Sequence, residues 1–251
     1  MHKNPAKTLF MGKRQHYVPE CHSTNDLAAQ LCQSNQMAEG SLVITEHQTR
    51  GKGQQGSGWE SAAGQNLTFS LILFPSHLQI SDQYRLNKAI ALGLVEALDR
   101  YISQELCIKW PNDIWVGRQK IAGILIENSI RNTSLQQSIV GIGLNVNQEN
   151  FSSPKATSMK LALGRALDKQ EVLDEILSCI EARYLQLRAG KIDLIDADYL
   201  ERLYGLNQQL KFRAHDAEFD GMIRGIDAHG RLRVECEGSI LTYGVKEITF
   251  L

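Results

Sequence analysis

Apolar residues recur at helical spacing in several stretches of the chain and gather into strand-length runs over much of the rest. Ser23-Thr24-Asn25-Asp26 has the S-x-x-D form of a helix start, in which a hydroxyl caps the first free N–H groups. The helix is expected to run on through Leu27, Leu31 and Cys32. Ser41 to Glu46 is a short β-branched run and reads as a strand. Gln48 to Gly64 is a glycine-dense loop, and Leu67 to Phe74 a buried strand ended by Pro75. Leu86, Ile90, Leu94, Leu98 and Tyr101 predict an amphipathic helix over about Tyr84 to Tyr101. Cys107 to Lys109, Asp113 to Val116, Lys120 to Asn128 and Gln137 to Gly143 read as neighbouring strands joined by hairpins. Val172, Ile176, Ile180 and Tyr184 mark another amphipathic helix, and Ile192 to Tyr204 reads as helical too.

From about Leu206 the texture changes. Lys211 to Ala214, Ala217 to Asp227, Arg231 to Glu235, Ile240 to Tyr243 and Glu247 to Phe250 predict short strands, with turns at His215-Asp216, His229-Gly230 and Glu237-Gly238. A β module this small is marginal alone and is expected to dock on the larger part. The predicted class is therefore α+β: a mixed β-sheet with flanking helices over residues 1–204, then a small β-barrel over residues 205–251.

Composition narrows the function. The 251 residues carry 27 Lys and Arg against 28 Asp and Glu, so the broad basic footprint of a nucleic-acid binder is missing. Leu71 to Phe74 and Ala89 to Val95 are far too short to span a bilayer, and Met1 to Arg14 lacks the apolar core of a signal peptide. Cys21, Cys32, Cys107, Cys179 and Cys236 are scattered and odd in number, which fits free thiols in a reducing cytoplasm. The seven histidines show no metal-ligand spacing, and no G-x-S-x-G elbow occurs.

Three segments have the makings of a site. The first, Gln48 to Trp59, contains G-x-G-x-x-G at Gly51, Gly53 and Gly56. A dinucleotide fingerprint must open a helix, and Gly58 to Gly64 is a poor helix, so that reading fails. The glycines still let amide groups line up around an anion, with Lys52 and Arg50 adding charge; a flexible solvent loop is the alternative. The second is Lys109-Trp110-Pro111-Asn112-Asp113, followed by Lys120-Ile121-Ala122-Gly123. A hairpin can bring Asp113 to Lys120, keeping both charged and aiming the lysine at a phosphoryl oxygen. A plain surface ion pair fits the same residues. Gly123 inside a strand suggests that a ligand or another backbone comes close. The third is Gly141-Ile142-Gly143-Leu144-Asn145, whose asparagine either meets a base or ribose or closes an Asx turn.

In this order and spacing, these segments, with Ser23-Thr24-Asn25, Ala156-Thr157-Ser158 and the small β module, resemble the biotin protein ligase family over nearly the whole chain. The resemblance implies a ligase-like catalytic domain and an SH3-like barrel. It implies a two-step reaction: biotin and ATP give biotinyl-5′-AMP and pyrophosphate, and a lysine of a biotin carboxyl carrier domain then takes the biotinyl group. It assigns Lys120, Asp113 and Lys52 to catalysis. It assigns Ser23, Thr24, Asn25, Gln48, Gly51, Lys52 and Gly123 to biotin. It assigns Gly53, Gln54, Gln55, Gly56, Trp59, Lys109, Asn112, Lys120 and Asn145 to ATP and the adenylate. Mg²⁺ is expected as counter-ion of the triphosphate, with no ligands assigned, and no tightly bound cofactor is expected.

Many relatives read G-R-G-R-R-G-R in the glycine loop, where this chain has Gln54, Gln55 and Ser57 at three arginine positions. Fewer charge-assisted bonds then reach the adenylate, and the expected consequence is faster release of biotinyl-AMP. Competing readings are a lipoate or octanoate ligase of the same fold, a catalytically dead adenylate-binding module, and a biotin-binding repressor. The 22 residues before Ser23 are too few for a winged helix-turn-helix, so a monofunctional, cytoplasmic ligase without nucleic-acid or membrane partners is expected. Family members often pair through their central sheets, and no residue pattern here decides for or against a homodimer.

Overall fold

The computed structural model describes residues 7–34, 36–215 and 217–251. Seven strands form the main sheet: β1 (Gln15–Cys21), β2 (Leu42–Gln48), β3 (Leu67–Leu73), β4 (Leu106–Lys109), β5 (Asp113–Val116), β6 (Gln119–Arg131) and β7 (Ser134–Leu144). Their order across the sheet is β1-β2-β3-β7-β6-β5-β4. β1 runs parallel to β2, and every other neighbouring pair is antiparallel.

Alternation along these strands gives the sheet two unlike faces. Leu67, Phe69 and Leu71 of β3 stand opposite Leu144, Ile142 and Val140 of β7, which stand opposite Ala122, Ile124 and Ile126 of β6. This face joins the core built by α2 (Gln83–Asp99) and α4 (Lys169–Arg188). The two helices cross closely because Gly93 has no side chain; a Cβ there would lie 2.6 Å from the Ile180 Cα. Asp168 caps α4 by accepting from the Gln170 and Glu171 N–H groups.

On the opposite face, α1 (Thr24–Gln33) covers only one end, where Ala28 packs with Val43, Ile72 and Ile139. Beside it a row of register partners runs across the strands: Lys109, Asp113, Gly123, Gly143, Thr68 and Thr45. Glycines and short polar side chains leave this part of the face open, and a cleft forms there.

The edge strand β4 is covered by chain leaving α5 (Ile192–Glu201): the Ile108 N–H donates to the Arg202 carbonyl at 2.7 Å, and the Tyr204 N–H to the Ile108 carbonyl at 2.9 Å. The remaining strands, β8 (Gln209–Ala214), β9 (Ala217–Ile226), β10 (Leu232–Cys236), β11 (Ser239–Tyr243) and β12 (Thr249–Phe250), form an antiparallel sheet in the order β11-β10-β9-β8-β12. This is the small SH3-like barrel, with Phe212, Ile223, Leu232 and Val234 buried inside. It grips the main sheet at two adjacent residues. Trp110 Nε1–H donates to the Gly230 carbonyl at 2.8 Å, and the Lys109 ammonium lies over the rings of Trp115 (3.9 Å) and Phe250 (4.8 Å).

The fold class agrees with the α+β reading. Some details differ, among them the strand expected from Glu247 to Phe250, which begins only at Thr249 because a turn precedes it, and the helix expected to reach Tyr101, which ends at Asp99. β1 went unforeseen, because its Gln-His-Tyr-Val-Pro-Glu-Cys sequence belongs to an exposed edge without clear alternation. The last helix of the main part stops at Glu201 rather than Tyr204. The five-residue α3 (Met159–Leu163) was too short to leave a periodic signature. Of the predicted turn at His215-Asp216, Asp216 lies outside the described residues.

Candidate active site

The cleft's floor begins at the start of α1. Ser23, Thr24 and Asn25 are each 3% exposed, yet all line the cleft. The expected Ser23 hydroxyl cap is not made. Its work is done from a neighbouring strand: Gln48 Oε1 at the end of β2 accepts from the Thr24 N–H at 2.8 Å. Ser70 of β3 lies 2.8 Å from Thr24 Oγ1 and 2.6 Å from Asn25 Oδ1, and Asn25 Nδ2 donates to Glu127 of β6 at 2.7 Å. This close packing needs Gly141, where a Cβ would fall 2.4 Å from Asn25 Oδ1.

The Asp113–Lys120 pair comes from β5 and β6. By register Asp113 stands opposite Gly123, while Lys120 stands opposite Trp115, with an irregularity between Ile114 and Trp115. The two side chains therefore meet diagonally, with Lys120 Nζ 2.7 Å from Asp113 Oδ1. Both are partly exposed at the cleft wall, so the ammonium is aimed and still reachable. Asn112 is buried, and its Nδ2 donates to the Ile124 carbonyl, tying the Pro111–Asp113 turn to β6.

The glycine loop folds over this floor as a small hairpin. Lys52 bridges to Gly58, the Gly53 N–H donates to the Ser57 carbonyl at 2.6 Å, and the Trp59 N–H to the Gly51 carbonyl at 3.0 Å. Gly51 needs its missing side chain, since a Cβ would lie 2.5 Å from the Trp59 carbonyl oxygen. The Trp59 indole comes down on the Gly123–Gly143 pair: a Cβ at Gly143 would lie 2.3 Å from its ring, and one at Gly123 3.2 Å. Lys120 Nζ stands 5.4 Å from the centre of that ring. Lys52 does not reach free into the cleft. It forms an ion pair with Asp26 of α1, and this hydrogen bond raises the lysine's pKa above its ordinary value.

The structure gathers most of the residues singled out in the sequence. Ser23, Thr24, Asn25, Gln48, Lys52, Gly53, Gln54, Trp59, Asn112, Asp113, Lys120 and Gly123 line one cleft. Gly51 and Gly56 shape the loop behind its lining, and Gln55 shares the short 3-10 turn with Gln54 and Gly56. Lys109 and Asn145 stand off the lining. Burial lowers the Lys109 pKa, and its ammonium faces the aromatic rings at the joint with the barrel. Asn145 is 3% exposed and donates from Nδ2 to the Thr157 carbonyl at 2.9 Å, while its buried Oδ1 has no protein partner. Thr68, Ser70 and Glu127 were not foreseen. Thr68 and Ser70 did leave a signal, as polar residues at alternate positions of the otherwise apolar run Leu67 to Leu73.

Among the described residues no group of three or more His, Cys, Asp and Glu side chains could hold a metal ion. No helix among them is long and apolar enough to cross a membrane.

Residues 17–145 match the biotin/lipoate A/B protein ligase family, and residues 205–247 match the biotin protein ligase C-terminal domain. The chain is 33% identical over 240 residues to the bifunctional ligase/repressor BirA of Bacillus subtilis, covering 93% of this chain and 73% of that protein. It is 30% identical over 241 residues to the biotin–[acetyl-CoA-carboxylase] ligase of Mycobacterium tuberculosis, covering 93% and 88% respectively. The biotin protein ligase of Aquifex aeolicus, solved in complex with biotin and ATP, superposes with a TM-score of 0.80 at 25% identity, covering 95% of this chain and 99% of that one.

Proposed function

This chain belongs to the biotin/lipoate A/B protein ligase family, and from that premise we propose how its cleft works as an ATP-dependent biotin protein ligase. In the first step a biotin carboxylate oxygen attacks the α-phosphorus of ATP, the bond to pyrophosphate breaks, and biotinyl-5′-AMP forms. Negative charge is driven against negative charge, so catalysis rests on positioning and electrostatic relief. The observation that carries the reading is the Lys120–Asp113 pair at 2.7 Å, an ammonium held in a fixed direction at the wall of a buried polar floor. Lys120 is assigned to the charge building on the carboxyl and α-phosphoryl oxygens. Asp113 holds it there and assists the incoming amine in the second step. Ser23, Thr24, Asn25 and Gln48 take the ureido ring, Gly123 leaves room beside it, and Trp59 covers the adenylate. Gly53, Gln54 and the neighbouring amides of the loop take the phosphate side, with Mg²⁺ entering as part of the ATP substrate.

In the second step the ε-amine of a carrier-domain lysine attacks the mixed anhydride, and AMP leaves. The acceptor is proposed to be a biotin carboxyl carrier domain, supported by the names of the relatives. A division into a catalytic part, residues 1–204, and an SH3-like module, residues 205–251, is supported by the second family match and the separate sheet. Free thiols at all five cysteines support action in the cytoplasm. Pyrophosphate release with ATP and either biotin, lipoate or octanoate tests the substrate class. Release with biotin alone is expected. Release with lipoate or octanoate and none with biotin overturns the reading.

A further inference from the structure

We propose that Glu127 is a positioning residue that sets the direction of the hydrogen bonds in the cleft floor, and so decides which side of Thr24 is offered to the ligand. The proposal rests on the reading of that floor as the ureido-binding end. Glu127 is exposed on β6 and does not line the cleft. Its carboxylate nevertheless holds Asn25 Nδ2 at 2.7 Å, against a longer contact of 3.4 Å from the same nitrogen to the Leu125 carbonyl. A carboxylate can only accept, so it fixes which end of the Asn25 amide faces out. The Oδ1 end is thereby turned inward, 2.6 Å from the Ser70 hydroxyl.

The consequence follows from counting protons. Ser70 is fully buried and has one hydroxyl proton, and Asn25 Oδ1 is its closest acceptor. With that proton committed, the 2.8 Å contact between Ser70 Oγ and Thr24 Oγ1 is a hydrogen bond only if Thr24 donates, and it is shorter than the 3.2 Å contact of Thr24 Oγ1 with Gln48 Oε1, the other acceptor in reach. Gln48 Oε1 is already served by the Thr24 N–H, which leaves its Nε2 on the side of Gly51. The bonds then run one way, from Thr24 to Ser70 to Asn25 to Glu127. Thr24 keeps an oxygen lone pair for a ligand N–H, while Gln48 offers an N–H for a ligand carbonyl. A cyclic urea carries both groups. If the Asn25 amide turned over, Ser70 would accept from Nδ2, its proton would pass to Thr24, and the Thr24 proton would point at Gln48.

The test is steady-state adenylation by the full chain, read as KM for biotin, KM for ATP and kcat. Wild-type turnover of biotin is measured first, so that a failure of the functional reading is seen separately. Glu127→Leu removes the acceptor from an exposed position. It is expected to raise KM for biotin at least fivefold, leaving kcat, KM for ATP and the melting temperature within error. Glu127→Gln keeps an acceptor oxygen and is expected to stay within twofold of wild type. Ser70→Ala breaks the relay in the middle, and its effect on KM for biotin is expected not to add to that of Glu127→Leu. A biotin KM for Glu127→Leu within twofold of wild type overturns the proposal. So does a Glu127→Gln variant as impaired as Glu127→Leu, because the carboxylate charge beside Lys52 would then matter rather than the hydrogen bond.

Discussion

The floor of the cleft around Asn25 and the glycine loop above it are held by different means. The floor is buried and joined by side-chain hydrogen bonds from α1, β2, β3 and β6. The loop is held by its own backbone bonds and by the exposed Lys52–Asp26 pair. A buried polar network costs dearly if one member is misplaced, so it suits a site that must tell one small molecule from another. A glycine hairpin with surface charges costs little to rearrange, and suits the phosphate end proposed for it. Lys120 stands between them, fixed by Asp113 below and faced by Trp59 above.

The largest expected effect falls where the two parts meet. Lys120→Ala removes one preorganised charge donor, worth roughly 3–4 kcal/mol, and is expected to slow pyrophosphate release about 10²–10³-fold. A change below about fivefold would count against its role. Next comes one substitution made on each side of the divide, at neighbouring glycines of β7. Gly141→Ala puts a methyl group 2.4 Å from Asn25 Oδ1, inside the network that cannot yield. It is expected to raise KM for biotin at least tenfold and to lower the melting temperature. Gly143→Ala puts the methyl group 2.3 Å from the Trp59 ring, which rides on the loop. It is expected to alter KM for ATP several-fold with little change in melting temperature. Equal thermal shifts for the two would erase the distinction between floor and loop.

Smaller effects are expected within the loop itself. With Gln54, Gln55 and Ser57 at positions where many relatives carry arginine, dissociation of biotinyl-AMP is expected to be faster than from an arginine-rich relative. Filter-retention rates compare them, and similar rates would refute the expectation. Smallest of all is Asp26→Asn. Both partners of that ion pair are well exposed, so its contribution to stability is about 0–1 kcal/mol. The expected change is a loss of intermediate retention by a factor of two or so, with the fold intact.

What could be read in the chain divides along similar lines. A continuous apolar run such as β3, and helices with a clear apolar stripe such as α2 and α4, were legible because burial selects apolar residues, along the whole strand or at helical spacing. The edge strand β1 was not, since exposure removes the period. Motif residues on the cleft wall, Asp113 and Lys120 among them, were legible through their spacing. The partners that hold them were harder to see. Nothing local marks Glu127 as Asn25's acceptor across 102 residues of chain, or Asp26 as the seat of Lys52. Lys109 sits beside the same motif, yet its long stem carries the ammonium to Trp115 and Phe250, and spacing does not show where a flexible side chain ends.

The most direct measurement incubates the protein with biotin, ATP and a purified biotin carboxyl carrier domain, and reads the carrier by streptavidin blot. The account predicts a labelled carrier that requires ATP and is lost when the carrier's acceptor lysine is replaced by arginine. A carrier left unlabelled under conditions in which an authentic biotin protein ligase labels it fully would contradict the account.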